Sequence, residues 1–446
     1  MTSDRVRRGR LTRRIVRVTV LIVLLVTSSC TSLRRIKDFK EQASQARALA
    51  RISGEIDTEG EMQGHLVVIL GRVIEGTGEL VGVDSYVRVN SGSYAFPVAP
   101  GRFQLGAYED RNRNGLLDPD ERVIRVKDSE ILTVGAGEDL RWDLHLAEGV
   151  TSGLTEPLDV LAIVERTPEG QREFSLWAFS AQGKICEDLN DEKFGPASGP
   201  RGLWEPMNFM NEGLAGIYFL EAYDPERVPV LFVHGIAGFP REFSTLIESL
   251  DRERFQAWFY FYPSGFGLNG IANHLAVLLK RMQVKTHFDE IAIVAHSMGG
   301  LVSRGAILKY RESTRRDDIR LLLSISTPWG GDVDAAGVKD APIELPESLA
   351  DMSPSSDYLR WIFFQDEDRE IVNALSTRVE FHMMMGFRMR RSGKVANDGS
   401  VTLSSQARVE AMEEASSIRA WDYDHWEILK SPEAIERMNR LLEHRF

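Results

Sequence analysis

The run from Ile291 to Lys309 constrains this chain more than any other stretch. An unbroken apolar strand, Ile291 to Ala295, stops at His296-Ser-Met-Gly-Gly300 and continues into Leu301–Lys309, which reads as a helix. A serine on such a strand-to-helix elbow is lifted above the sheet edge with its hydroxyl exposed, the geometry that attack on an acyl carbon requires. Small residues flank Ser297 for a steric reason: the turn is tight, and a Cβ near it would strike the neighbouring strand or helix. The pentapeptide Ala295-His-Ser-Met-Gly299 carries alanine where the pattern G-x-S-x-G has its first glycine, the mildest departure available.

A second apolar strand, Val228–Val233, ends in His234-Gly-Ile-Ala-Gly238. From this position a backbone N–H completes an oxyanion hole, so the donors expected on a developing oxyanion are the N–H groups of Ile236 and Met298. Each such donor contributes about 3–4 kcal/mol of transition-state stabilisation.

From about Glu205 to the C-terminus the chain resembles an α/β-hydrolase of the bacterial lipase and esterase kind. It is also similar to deacylases that share His-Gly-x-x-Gly, His-Ser-Met-Gly-Gly and Ser-Thr-Pro-Trp-Gly-Gly. The segments that carry the resemblance are Val233–Gly238, Ile293–Arg304, Ile325–Gly331, Asn397–Val401 and Asp424–Leu429. The resemblance implies a mostly parallel sheet with flanking helices and Ser-Asp-His chemistry. It does not fix the substrate, since the fold hosts lipases, esterases, thioesterases, acyltransferases and peptidases.

In that fold the chain order is nucleophile, acid, histidine. Of nine histidines only His382, His425 and His444 follow Ser297. His382 lies inside the apolar run Val379–Gly386, which reads as a core strand, and His444 sits beside the C-terminus, where chains fray. His425, in a polar-aromatic loop before a helix-like segment, is the expected general base. For the acid, Asp398 lies in an Asn-Asp-Gly turn directly after the methionine-rich strand, where the third member should emerge. Asp332 and Asp334 after the Thr-Pro-Trp-Gly-Gly segment remain alternatives, as do Asp422 and Asp424, which are close to His425 in sequence.

Composition bounds the rest. A chain of 446 residues exceeds one usual core, so two domains are expected. A net charge of −12 argues against nucleic acid as a partner, because phosphate binding needs a positive face. The charge is uneven: residues 1–17 hold seven arginines and one acid, Asp4. An apolar stretch, Val18–Val26, and Thr27-Ser-Ser-Cys30 follow. Positive, then briefly apolar, then small is the order of a secretory signal, and the apolar stretch is too short for about 30 Å of hydrocarbon. Cys30 after two serines resembles a lipobox, which makes it the lipidated first residue of a mature protein, although Thr27 stands where an aliphatic residue is commoner. The alternative is a single-pass anchor over Ile15–Ser29 with Arg17 snorkelling. Either reading places the protein in the cell envelope, tethered to a bacterial membrane. With only Cys30 and Cys186 present, no disulfide framework is available, and Cys186 is expected to be a small semi-buried residue.

The expected division is a signal over 1–30, a helical spacer over 31–53, a β-sandwich over 54–147, a linker or leading strands over 148–204, and the α/β-hydrolase over 205–446. The spacer is charged, alanine-bearing and free of Gly and Pro up to Ala50. A small antiparallel sandwich is read from short β-rich runs punctuated by Gly, Asp and Asn. Phe174–Phe179 reads as a further strand. Within the sandwich, Asp110–Glu121 fits the calcium-loop template D-x-[DN]-x-[DN]-G-x5-E. Asp110, Asn112 and Asn114 supply oxygens from alternate positions, Gly115 the sharp turn, Leu116 its carbonyl, Asp118 a direct or water-borne contact, and Glu121 a bidentate closure. Arg111 and Arg113 reduce the local negative charge, and an acidic Asx-rich turn is the alternative.

These readings together describe a membrane-anchored, extracytoplasmic serine hydrolase acting on a carboxylic ester of a lipid or acyl chain. It needs no cofactor for catalysis and holds structural calcium in its N-terminal part. Acyl transfer on the same residues, or calcium-dependent adhesion with a degenerate hydrolase, are the competing expectations. Asp332–Phe364, with its aromatic cluster, is expected to form either a cap over an acyl pocket or ordinary core.

Overall fold

A computed structural model describes residues 29–88, 91–125, 129–160, 180–333, 335, 338, 344–364, 373–388 and 396–446. The arginine-rich and apolar segment 1–28, Asp334 and the expected strand Phe174–Phe179 lie outside the described residues.

Helix α1 (Ser29–Ala48) comes first, as its composition predicts, and runs straight into strand β1 (Ala50–Thr58). The β-region therefore starts at Ala50, four residues before the expected boundary at Gly54. It continues through β2 (His65–Val73), β3 (Leu80–Arg88), β4 (Gly92–Val98), β5 (Gly101–Asp110), β6 (Val123–Ile124), β7 (Leu132–Val134), β8 (Asp139–Arg141) and β9 (Leu144–Leu146). One sheet has the order β4-β1-β8 with β9 also on β1; the other has β3-β2-β5-β6 with β7 also on β5, and the pairings are antiparallel as expected except those of β8 and β9 with β1, which are parallel. Alternate residues of β1, among them Ile52 and Ile56, point inward to meet Leu66, Val68 and Leu70 of β2 and Leu105 of β5 in one shared core. That alternation is what a two-layer all-β unit needs.

The second part is an eight-stranded sheet. Strands β10 (Ala181–Ile185), β11 (Gly216–Phe219), β12 (Val228–Val233), β13 (Phe255–Phe261), β14 (Ile291–His296), β15 (Ile319–Ile325), β16 (Glu380–Gly386) and β17 (Ser417–Trp421) lie in the order β10-β11-β13-β12-β14-β15-β16-β17. Only the β11–β13 pairing is antiparallel. Strand β10 lies in the expected linker-or-leading-strand segment before Glu205 and is followed by α2 (Ser198–Trp204) and α3 (Pro206–Asn211). Its sequence, Ala-Gln-Gly-Lys-Ile, is too polar to read as a core strand because it is a partly exposed edge.

The crossovers α4 (Leu268–Thr286) and α5 (Met298–Thr314) flank β14 in sequence. On β14, Ile291, Ile293 and Ala295 join the core under those helices, while Ala292 and Val294 join the core on the opposite face. A strand covered on both sides can be apolar throughout, which is why it reads as an unbroken run.

Helix α4 also carries the β-region. Val284 packs with Val67, Val87, Tyr108 and Leu117, and the Arg281 guanidinium donates to Asp84 at 2.6 Å with both side chains buried. Lys280 lies 4.5 Å over the Tyr86 ring. Helix α1 docks on the side of the eight-stranded sheet, through Phe39 edge-on to Trp204 and Gln42 to Asn208. The aromatic cluster before Phe364 is core: Leu359, Ile362 and Phe363 are fully buried, and the guanidinium groups of Arg304 and Arg408 lie 4.4 and 4.3 Å from the Phe363 ring centroid.

Candidate active site

All the chemistry singled out in the hydrolase part converges at the carboxyl ends of β12, β14, β16 and β17, where ligands of open α/β sheets bind. Strand β14 delivers Ser297 on a sharp elbow with φ 54° and ψ −130°, a strained conformation for a residue bearing a side chain. Gly299 is required there: a Cβ on it would lie 2.3 Å from the Val233 carbonyl oxygen and 2.5 Å from that of His234. Ala295, where the pattern has glycine, points into the core and is accommodated.

Strand β12 is hydrogen-bonded directly beside β14, so the loop from His234 to Gly238 emerges next to the elbow. A Cβ on Gly235 would come within 2.7 Å of the Ser297 Cβ. The N–H groups of Ile236 and Met298 have no acceptor among the described residues, whereas Ala237 N–H donates to Ser264 Oγ and Gly238 N–H to the Gly235 carbonyl. His234 is neutral. Its Nδ1 donates to the Gly235 carbonyl at 2.8 Å and its Nε2 accepts from Tyr262 N–H at 3.3 Å, while burial drives its pKa down to about 4.

Beyond β16, Asp398 is fully buried. Its Oδ1 accepts from the N–H groups of Ser400 and Val401 at 3.0 and 2.6 Å, and its Oδ2 from Gln406 Nε2 at 3.3 Å and His425 Nδ1 at 2.7 Å. The Asp398 carbonyl also accepts from His425 N–H at 2.7 Å. Burial by itself would raise the Asp398 carboxyl, but the bond to His425, its charge and the two turn amides outweigh it and hold the pKa below the ordinary value. His425 is held below its ordinary 6.5, chiefly by burial and then by His296, against the pull of Asp398 and Glu242. It is therefore neutral near pH 7, with Nδ1 carrying the hydrogen and Nε2 free to accept.

The structure thus joins Asp398 to His425 and seats Ser297 beside His296, whose ring centroid is 4.7 Å from that of His425. No hydrogen bond links Ser297 to His425 among the described residues, an openness usual where no substrate is bound. Of the alternative acids, Asp334 lies outside the described residues. Asp422 and Asp424 face Arg388, at 3.7 and 3.8 Å, and Asp332 is held by its backbone to the Met352 carbonyl. His382 is spent on Ser417 Oγ, 2.9 Å away, and His444 lies in the last turn of α6 (Pro432–Arg445). Sequence reasoning missed Glu242 and His296 as partners. Glu242 is buried, receives Phe239 N–H on one oxygen, and contacts His296 Nδ1 with the other at 3.1 Å.

In the β-region, the loop from Asp110 to Glu121 closes on its own hydrogen bonds. Asp110 accepts from the N–H groups of Asn114 and Gly115, Glu121 from those of Arg111 and Asp118, and the amides of Asn112 and Asn114 both donate to Asp118 Oδ2. Burial raises the Asp110 carboxyl and pushes Glu121 up to about 7. Among the described residues no group of three or more His, Cys, Asp or Glu side chains forms a metal cage. Cys186 is buried, which pushes its thiol up to about 11 and makes it a poor nucleophile. Cys30 falls in the first turn of α1, with its side chain outside the description, and no helix among the described residues is long and apolar enough to cross a membrane.

A family profile described as "PGAP1-like alpha/beta domain" matches residues 264–336, from the start of α4 past the elbow. No curated protein matches the sequence. Among solved structures, the chain is similar to the mature lipase BlEst2 of Bacillus licheniformis, at 18% identity and a TM-score of 0.40 over 50% of this chain and 94% of that one. It is similar to lipase B of Aspergillus fumigatus, at 16% identity and a TM-score of 0.41 over 53% of this chain and 57% of that one. It is also similar to phospholipase PlaB of Legionella pneumophila, solved with thio-NAD, at 17% identity and a TM-score of 0.31 over 40% of this chain and 44% of that one. The eight-stranded sheet with its elbow and flanking helices is an α/β-hydrolase fold, preceded by an all-β region.

Proposed function

We propose that this protein is a serine hydrolase of carboxylic esters, with a lipid or acyl-chain ester as substrate. The observation that carries the reading is the buried Asp398–His425 pair, bonded at 2.7 Å, at the same sheet edge as a serine strained onto an elbow. In this reading Ser297 Oγ attacks the ester carbonyl carbon while His425 Nε2 takes its proton. The carbonyl oxygen becomes an oxyanion facing the N–H groups of Ile236 and Met298, which have no other acceptor among the described residues. Collapse of this tetrahedral species expels the alkoxide, which leaves as the alcohol with the proton from His425. Water then attacks the acyl-serine with His425 again as base, releasing the acid and restoring Ser297. Asp398 fixes the imidazole in the tautomer that leaves Nε2 free and stabilises the cation that forms.

Two further parts of the proposal concern the N-terminal half. Attachment to a bacterial membrane by acylation of Cys30 is supported by the arginine-rich, then apolar, then small-residue order that precedes it. A structural calcium ion held by Asp110, Asn112, Asn114, Leu116, Asp118 and Glu121 is supported by the cost of the arrangement without it: Asp110 and Glu121 are buried near one another and both carboxyls are raised. In the present geometry the asparagine amides take the place of a cation against Asp118, so binding would require both to turn.

The test of the catalytic reading is labelling of the full chain with a fluorophosphonate probe, followed by a panel of esters of graded chain length. Ser297→Ala should take no label and turn over no ester. Labelling undiminished in that variant would overturn the assignment.

A further inference from the structure

The three segments of the candidate site come from distant parts of the sequence, and one buried carboxylate touches the connection between all of them. Glu242 follows the loop that begins at His234. Its Oε2 accepts from Phe239 N–H at 3.1 Å, and a Cβ on Gly238 would lie 2.9 Å from that oxygen, so the carboxylate lies directly against the loop that holds Ile236. Its Oε1 meets His296 Nδ1 at 3.1 Å, and His296 precedes Ser297 on the elbow. His296 Nε2 in turn meets the backbone carbonyl of His425 at 2.9 Å. The side chains of Glu242 and His296 are 2% and 0% exposed, so water does not complete these contacts.

Counting hydrogens fixes the state of the link. A carbonyl oxygen only accepts, so His296 Nε2 carries a hydrogen. The contact between His296 Nδ1 and Glu242 Oε1 then needs one more proton between ring and carboxyl. The two side chains share that single proton and together bear no net charge, a form that burial tolerates. His234, directly after β12, solves its own case without an acid because its second nitrogen faces an N–H.

We infer that Glu242 is a positioning residue for ester hydrolysis, acting through His296 to hold the oxyanion loop, the Ser297 elbow and the His425 loop in one register. The inference rests on the serine-hydrolase reading. It concerns no atom of the substrate: Glu242 sets where the groups that do touch substrate are held. Loss of the link leaves the buried His296 Nδ1 and the part-buried Phe239 N–H without their acceptor and lets the three segments relax independently. A misplacement of about 1 Å at such a site costs roughly 10²-fold in rate.

The experiment uses the full chain, the fluorophosphonate probe and the ester that the wild type hydrolyses fastest. Glu242→Ala is expected to lower kcat about 10²-fold with KM little changed. It should also slow labelling of Ser297 while reaching the same final extent. Glu242→Gln, whose amide can donate to His296 Nδ1 and accept from Phe239 N–H, should restore most of the rate. Glu242→Met fills the volume without hydrogen bonds and serves if the alanine variant does not fold; it should be as slow as Glu242→Ala. Combining Glu242→Met with His296→Gln should be no worse than the slower single change, because the two residues act through one link. Wild-type kcat in Glu242→Met, no rescue by Gln, or strict additivity of the pair would overturn the inference while leaving the serine reading standing. A wild type that takes no probe, or a Ser297→Ala protein that takes as much, would overturn both.

Discussion

Two acidic turns, one in each half of the molecule, bury a carboxylate in nearly the same way and arrive at opposite states. Asp398 and Asp110 are both fully buried, and each accepts backbone N–H groups from the turn that follows it. Asp398 also has His425 against its second oxygen and is held below the ordinary carboxylate value. Asp110 has backbone amides and a like-charged neighbour, Asp118, and burial raises it; Glu121, facing Asp110 and Asp118, is raised as well. Burial costs each carboxylate similarly, and the outcome is decided by whether a group that can carry positive charge is within reach. A turn of Asn, Asp and Gly is therefore no guide to chemistry until its partner is known.

The largest effect that separates the two turns is kinetic. Asp398→Asn should leave Ser297 in place but favour the wrong imidazole tautomer, lowering kcat by up to about 10⁴-fold with little change in KM. Glu121→Gln should leave ester turnover at the wild-type level. If steady-state kinetics show the two variants equally active, the distinction between the turns has no functional content.

A third buried acid sharpens the point. Asp84 is paired with Arg281 across the boundary between the two halves, both side chains being nearly inaccessible. Removing the cation by Arg281→Ala takes the guanidinium from a buried carboxylate and should cost about 3–5 kcal/mol in denaturant unfolding. A loss under about 1 kcal/mol would mean that the boundary opens to water in solution.

The pH dependence follows from the same contrast. Since His425 is held below 6.5, kcat/KM should rise with pH through a midpoint below that value, as the imidazole loses its proton. A midpoint above 7 in a pH–rate profile would contradict the burial of the base. Glu121 works in the other direction on stability. Its folded pKa of about 7 exceeds the ordinary 4.5, so the folded form holds a proton that the unfolded chain has released, and stability should decline as pH rises from about 4.5 to 7. Glu121→Gln should flatten that decline in thermal melts.

The smallest expected effect is that of calcium. At millimolar concentration and neutral pH it should raise the melting temperature, because an ion bound only by the native state stabilises it by mass action, and Asp110→Ala with Glu121→Ala should erase the shift. An unchanged melting temperature would leave the loop as a turn closed by its own amides.

Much of the hydrolase half is legible in the sequence because its constraints are local. The Ser297 elbow needs Gly299 within two residues, and β14 must be apolar throughout because both faces are covered. The meeting of Asp398 with His425 follows from chain order, since β16 and β17 lie side by side in the sheet. What could not be read are contacts that depend on three-dimensional closure. Glu242 meets His296 across 54 positions, and nothing in the polarity of Pro240–Phe243 marks its acid as buried. Strand β10 is polar because it is an edge, so periodicity gave no sign of it. Arg281 is a charged residue on α4, and only the docked β-region, through Asp84, makes its place an interior.

That last helix has a practical corollary. Since α4 supplies core to the hydrolase through Leu275 and Leu279 and a seat for the β-region through Arg281 and Val284, neither half has a finished surface of its own. A chain shortened to the eight-stranded sheet would present an apolar patch and an unbalanced cation to its neighbours, and poor solubility on expression would then report the missing β-region rather than a failure of the hydrolase to fold.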